Sequence, residues 1–253
     1  MKNIILTICA IGLGLGVSAQ EPAKQGEVTY LETVKIEIRF EGMTEEMINR
    51  MPKERKMKKV LYFNEAESSY QNSKENADAP VPGSGGMRGG GMRFMMGGGS
   101  PDEMVYLNFN DKIKIEQKDF MTRIFLITED LAIENWKFTG NQKTILDYPC
   151  MEASQITDKD TILAWFAPSI PVSAGPGNYV NLPGLVLGVD INNGKRVIMA
   201  ETLDLKPIDK DLISKPKKGK KTTREEFKKI VDEKTKEMGE NSQGGTFRVM
   251  VQH

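Results

Sequence analysis

The chain has 253 residues, with 35 Lys+Arg, 35 Asp+Glu, fifteen Met, two Cys and one His. A balanced charge gives the molecule no overall attraction for nucleic acid. The one His is His253, the last residue, which excludes a Ser-His-Asp triad, a Cys-His dyad or a multi-His metal centre inside the fold.

Residues 1–19 read as a signal peptide. Lys2 supplies the positive start, Ile4 to Val17 the apolar run, and Val17-Ser18-Ala19 the small-residue cleavage site. The run falls short of the roughly 20 apolar residues that a membrane span needs. Cleavage predicts an exported protein of the periplasm or outer cell envelope, with no transmembrane anchor left. Cys9 leaves with the leader. Cys150 remains as the one thiol, and burial is its default expectation.

Residues 20–253 are expected to form a single, mainly β domain. From Gly26 to Phe40 the pattern alternates, with Val28, Tyr30, Val34, Ile36, Ile38 and Phe40 on one face. Met43, Met47 and Met51 then fall on one face of a short helix opened by Thr44. Strands are predicted at 60–63 and 66–71, with Asn64-Glu65 as the turn. Periodicity stops over about 72–101 and returns in strands at 103–109, 112–120, 123–128, 132–138, 143–156 and 161–166. Asn110-Asp111 and Thr139-Gly140-Asn141 are turn candidates. Strands at 185–190 and 197–203 flank Asn192-Asn193-Gly194, whose Asn-Gly is a strong hairpin signal. A basic linker and a helix occupy about 214–239. Thr223-Arg224-Glu225-Glu226 fits a capping box, and Phe227, Ile230, Val231 and Met238 give the helix an apolar side. Phe247, Val249 and Val251 suggest a last strand. Short strands without βαβ alternation predict a mainly antiparallel sheet with one or two packed helices.

The run Asn181-Leu182-Pro183-Gly184-Leu185-Val186-Leu187 resembles the signature of the GLPGLI family of exported Bacteroidetes-type cell-envelope proteins. It departs at Asn181, where the family has Gly, and at Val186, where it has Ile. Trp136, the Tyr148-Pro149-Cys150 run, Ala164 to Pro171 and Gly175-Pro176 are similar to other parts of the family pattern. Asp147 stands where the family has a small residue. The resemblance implies an envelope address, an undefined biochemical role and no catalytic residues. By analogy it also implies a curved sheet or half-barrel like that of lipoprotein carriers.

Pro171, Pro176 and Pro183, with Gly175, Gly177 and Gly184, predict a rigid loop before the strand at Leu185. Trp165 and Phe166 are neighbours and point to opposite faces of a strand. One belongs in the core. Trp136, Trp165, Phe166, Tyr179, Leu182 and Pro183 are the candidate ligand or partner surface, although packing alone also accounts for them.

Residues 83–99 contain nine Gly, four Met, two Arg, one Ser and one Phe. Such a segment cannot make a core and is expected to be disordered. Met87, Met92, Met95 and Met96 could capture Cu(I), because thioethers suit soft metals. Arg88 and Arg93 oppose that reading, and a tolerated loop or a partner contact are the alternatives. The leading expectation is a non-enzymatic envelope binding protein, with no cofactor, that holds an apolar ligand or a protein partner. A periplasmic Cu(I)-binding protein is the alternative, and the oligomeric state stays open.

Overall fold

Alternation of apolar and polar residues over most of the chain builds one open sheet. The computed structural model describes residues 24–36, 44, 46, 53–77, 102–121, 123–133 and 135–241. The strands are β1 (Gly26–Lys35), β2 (Glu54–Phe63), β3 (Glu67–Asn72), β4 (Met104–Asn108), β5 (Ile113–Phe120), β6 (Arg123–Asp130), β7 (Lys137–Ile145), β8 (Tyr148–Ile156), β9 (Thr161–Ala167), β10 (Leu185–Ile191), β11 (Arg196–Asp204) and β12 (Lys220–Thr222). The helix α1 spans Arg224–Asn241. The order across the sheet is β12-β6-β5-β4-β3-β2-β1-β11-β10-β9-β8-β7. All neighbours are antiparallel except β12, which joins β6 in parallel.

Cross-strand partners share a face, so register assigns each side chain to one side of the sheet. Glu116, Val105, Tyr70, Leu61 and Val28 follow one another across β5, β4, β3, β2 and β1. That face is covered twice. Residues 168–184 fold over the half near β9 and β10, burying Ile170, Val172, Ala174, Val180 and Leu182. Leu185 N donates to Ile170 O and Val186 N to Ala174 O, both at 3.0 Å. Tyr30 Oη donates to Val186 O at 2.5 Å, reaching past β11 to do so. Over the other half, α1 sets Phe227 and Val231 against Phe120, Phe125 and Ile127. The opposite face is covered near β4 to β6 by the segment after β11, where Ile213 packs on Tyr106, Ile115 and Leu126.

Both outer edges are blunted. At one, β12 pairs with β6. At the other, β7 bulges between Phe138 and Gln142. Glu152 holds that bulge by accepting from Thr139 Oγ1 at 2.7 Å and Asn141 Nδ2 at 2.9 Å. A broken edge offers no continuous ladder to a stray strand.

Several local expectations change. The strand predicted at 143–156 divides at a two-residue turn, where Leu146 and Asp147 have φ of 49° and 65°. Thr139-Gly140-Asn141 is the bulge of β7 rather than the end of a strand, and residues 131–136 are irregular apart from Glu134, which is not described. The long insertion starts later than 72, since Asn72 ends β3 and Lys74–Ala77 form a 3-10 turn. The basic stretch is not only a linker, because Lys220–Thr222 form β12. The capping box forms as read: Glu226 N donates to Thr223 Oγ1, and Thr223 N to Glu226 Oε2, each at 3.1 Å. The leader, the helix of Met43, Met47 and Met51, most of the Gly/Met insertion and the last predicted strand lie outside the described residues.

Candidate functional site

Three loops meet at one end of the sheet. They are the β4–β5 turn, residues 131–136, and the 168–184 loop. The junction is tied by Trp136 Nε1, which donates to Val180 O at 2.8 Å, and by Asn181 Nδ2, which donates to Ala132 O at 3.0 Å. Ser173 Oγ donates to Leu182 O at 3.0 Å. Asn181 has φ of 66°, a left-handed conformation that glycine or asparagine adopts at low cost.

Between the loops lies a depression of about 190 Å³, lined by Phe109, Lys112, Leu131, Ile133, Ser173 and Asn181. Ile133 is 75% exposed. A second hollow of about 340 Å³ lies by the β2–β3 turn, with the paired Lys24 and Glu65 in its wall.

The six residues expected to form a ligand or partner surface do not share one surface. Phe166 and Leu182 are buried, at 1% exposure each. Trp136 and Tyr179 are half-buried, and Pro183 is exposed beside Asn181. Trp165 lies on the opposite face, where Lys143 Nζ sits 4.1 Å from its ring centre. Cys150 is buried, and burial pushes its thiol pKa up. Met87, Met92, Met95 and Met96 lie outside the described residues. Among the described residues there is no group of three or more His, Cys, Asp or Glu that could hold a metal ion.

Sequence reasoning missed three buried carboxylates: Glu152, which holds the β7 bulge, and two that sit in ion clusters. Glu32 is 2% exposed, between Arg196 at 2.8 Å and Lys59 at 3.2 Å. Burial pushes its pKa up, but Lys59 and Arg196 outweigh that and hold it below its ordinary value of 4.5. Tyr70 lies beside this cluster with Lys59 over its ring, and its buried hydroxyl makes no hydrogen bond among the described residues. The second carboxylate, Glu116, meets Arg224 at 2.7 Å and Lys114 and Lys118 at 3.3 Å. Arg224 also grips Glu129 in bidentate fashion, at 3.1 and 2.7 Å. A signal was available for Glu32, which follows Val28 and Tyr30 on the inward side of an alternating strand, where an apolar residue is the rule; Glu116 gave none, because Ile113 and Ile115 mark the other side of β5 as the apolar one.

Glu116 carries a pH prediction. Burial raises its pKa, but Lys118, Lys114 and Arg224 bring it down to about 2. A lowered folded pKa gives stability that is full above the ordinary 4.5 and is lost as pH falls toward 2. The gap corresponds to at most about 3 kcal/mol. Urea unfolding at neutral pH and at stepwise lower pH should show this loss. In Glu116→Gln the acid loss should be smaller, and an unchanged acid profile would refute the assignment.

Comparison with known proteins finds one partial family match and a likeness in fold. Residues 152–188 match the model of a family described as "Protein of unknown function (Porph_ging)". The match spans most of β8, β9, the covering loop and the start of β10, and it is compatible with the GLPGLI resemblance. No curated protein matches the chain. Two solved structures of PNGF-II, in space groups C2 and P21, are similar in fold. Each has a TM-score of 0.54 and 20% identity, covering 83% of this chain and 33% of PNGF-II. The chain therefore spans about a third of the length of PNGF-II. At this identity the likeness concerns the fold alone.

Proposed function

We propose that this chain is a non-enzymatic binding protein of the cell envelope, and that its partner is another protein rather than a lipid. The leader-like residues 1–19 are the basis for the envelope address. Among the described residues no helix is long and apolar enough to cross a membrane. The observation that carries the partner reading is the size and wall of the depression at the loop junction. Pockets for small apolar ligands run from about 300 Å³ upward and enclose most of the ligand. About 190 Å³, open beside an exposed Ile133, suits one or two anchoring side chains of a protein. The apolar face of the sheet is meanwhile filled by the chain's own Phe166, Leu182 and Val180, which counts against a lipid carrier.

The test uses the full chain with a photo-crosslinking residue at position 133, exposed to envelope extract. A discrete protein adduct is expected at position 133. No adduct is expected from the same residue at position 156, where Ile156 is also exposed but lies in the β8–β9 hairpin away from the loop junction. Phe109→Asp should abolish the adduct. Lipid recovered at one molecule per chain by mass spectrometry would overturn the reading.

A further inference from the structure

The β10–β11 turn carries an Asn-Gly pair, the dipeptide most prone to spontaneous loss of its side-chain amide. Asn193 is exposed, and Asn192, Asn193 and Gly194 take φ of 54°, 53° and 79°. Three left-handed residues in succession are held by specific bonds. Asn192 Oδ1 accepts from Thr161 N at 3.0 Å, and its Nδ2 donates to Asp160 Oδ1 at 2.6 Å. Asn192 N donates to Thr161 O at 2.9 Å. The fourth bond is the informative one: Gly194 N donates to Asp190 Oδ1 at 2.6 Å.

Deamidation at this pair requires that same nitrogen. Gly194 N loses its proton to solvent base and attacks Cγ of Asn193. A C–N bond closes the succinimide ring, and the Asn193 side-chain nitrogen leaves as ammonia after taking up a proton. Water then opens the ring to aspartate or isoaspartate, so that asparagine and water become an acid and ammonia. A carboxylate on the Gly194 N–H opposes the first step. Aspartate is far too weak a base to take an amide proton, and its negative charge disfavours the amide anion.

We propose that Asn193 is a latent deamidation site, that Asp190 guards it, and that its conversion loosens the Arg196–Glu32 pair. The second half follows from position. Isoaspartate adds one atom to the backbone between Ile191 and Arg196, which are cross-strand partners at the mouth of the turn. Arg196 is the residue whose Nε meets buried Glu32. Lys35 N donates to Lys195 O at 2.8 Å, so the same change also disturbs the pairing of β1.

The experiment compares the full chain, Asp190→Asn, Asp190→Ala and a free peptide of residues 189–198 in mildly alkaline buffer. Conversion is followed by peptide mass and by chromatographic resolution of isoaspartate. The native chain should convert far more slowly than the peptide. The Asp190 variants should convert roughly tenfold faster than the native chain, the worth of one hydrogen bond to a charged acceptor. Asp190→Asn keeps the side-chain shape, and a native melting curve for it excludes simple unfolding of the hairpin. Converted protein should melt lower than unconverted protein. A native chain as fast as the peptide, or natively folded variants no faster than the native chain, would overturn the guarding role. Identical melting of converted and unconverted protein would overturn the link to Arg196.

Discussion

Glu32→Gln is expected to lower the unfolding free energy by about 3 kcal/mol, the low end of the cost of breaking a buried ion pair. The substitution keeps the shape of the side chain and removes its charge. Arg196 and Lys59 then lose the carboxylate that both of them contact, and Arg55 nearby loses part of its attraction. The low end applies because the Arg196 and Lys59 side chains keep 23% and 17% of their exposure and recover some hydration. Removing both main partners together, as Glu32→Leu with Arg196→Met, should restore much of the loss, because an apolar pair of similar volume avoids the desolvation of both charges. Urea unfolding of the three proteins measures this. A loss under about 1 kcal/mol in the single variant, typical of exposed pairs, would show that the cluster contributes no more than a surface contact.

Gly184→Val is expected to cost more than about 3 kcal/mol, beyond ordinary overpacking. A Cβ at position 184 would run into the carbonyl oxygen of Ala167, with Ala167 C at 2.7 Å and Pro168 Cα at 3.0 Å. These are backbone atoms at the end of β9, and they cannot swing aside as a side chain tip can. Gly175 is in a similar position against Tyr179 O and the Val186 side chain. The consequence reaches the proposed site, because the 168–184 loop supplies Ser173 and Asn181 to the depression. A melting curve gives the stability loss, and crosslinking from position 133 should fail in parallel. A Gly184→Val protein with native stability would mean that the loop does not sit against β9.

Much of the β architecture was legible in the sequence because period-two alternation is a local signal. Val28 and Tyr30, or Ile113 and Ile115, declare their strands wherever the chain later goes. The Asn192-Asn193-Gly194 turn and the Thr223 capping box were legible for the same reason, since their bonds close within a few residues. β2 was read too short. Residues 54–59 are Glu, Arg, Lys, Met, Lys and Lys, and they form a strand because β1 pairs along all of them, while β3 reaches only Lys59. β12 was missed because Lys-Lys-Thr has no apolar pattern, and its partner β6 is nearly a hundred residues away.

The candidate site was less legible. The sequence singled out the Pro- and Gly-rich run and the adjacent aromatics, but side-chain type says nothing about which surface survives folding. Phe166 is buried under the loop, Leu182 is the loop's own buried side chain, and Trp165 faces the other way. Ile133 and Phe109, which no motif marked, line the depression.

The sequence by itself determined a mainly β chain with a capped helix late in its length, no internal histidine, and a Pro- and Gly-rich run ahead of the strand at Leu185. Each of these depends on composition or on neighbours within one turn or strand. Only the tertiary structure decided that the loop lies on the apolar face, that Glu32 and Glu116 are buried and paired, and that three separate loops share a depression. Those outcomes depend on which distant strands pair and in what register, as with Glu32 and Arg196, 164 residues apart. A one-residue slip in that register would have turned every one of those side chains to the other side of the sheet.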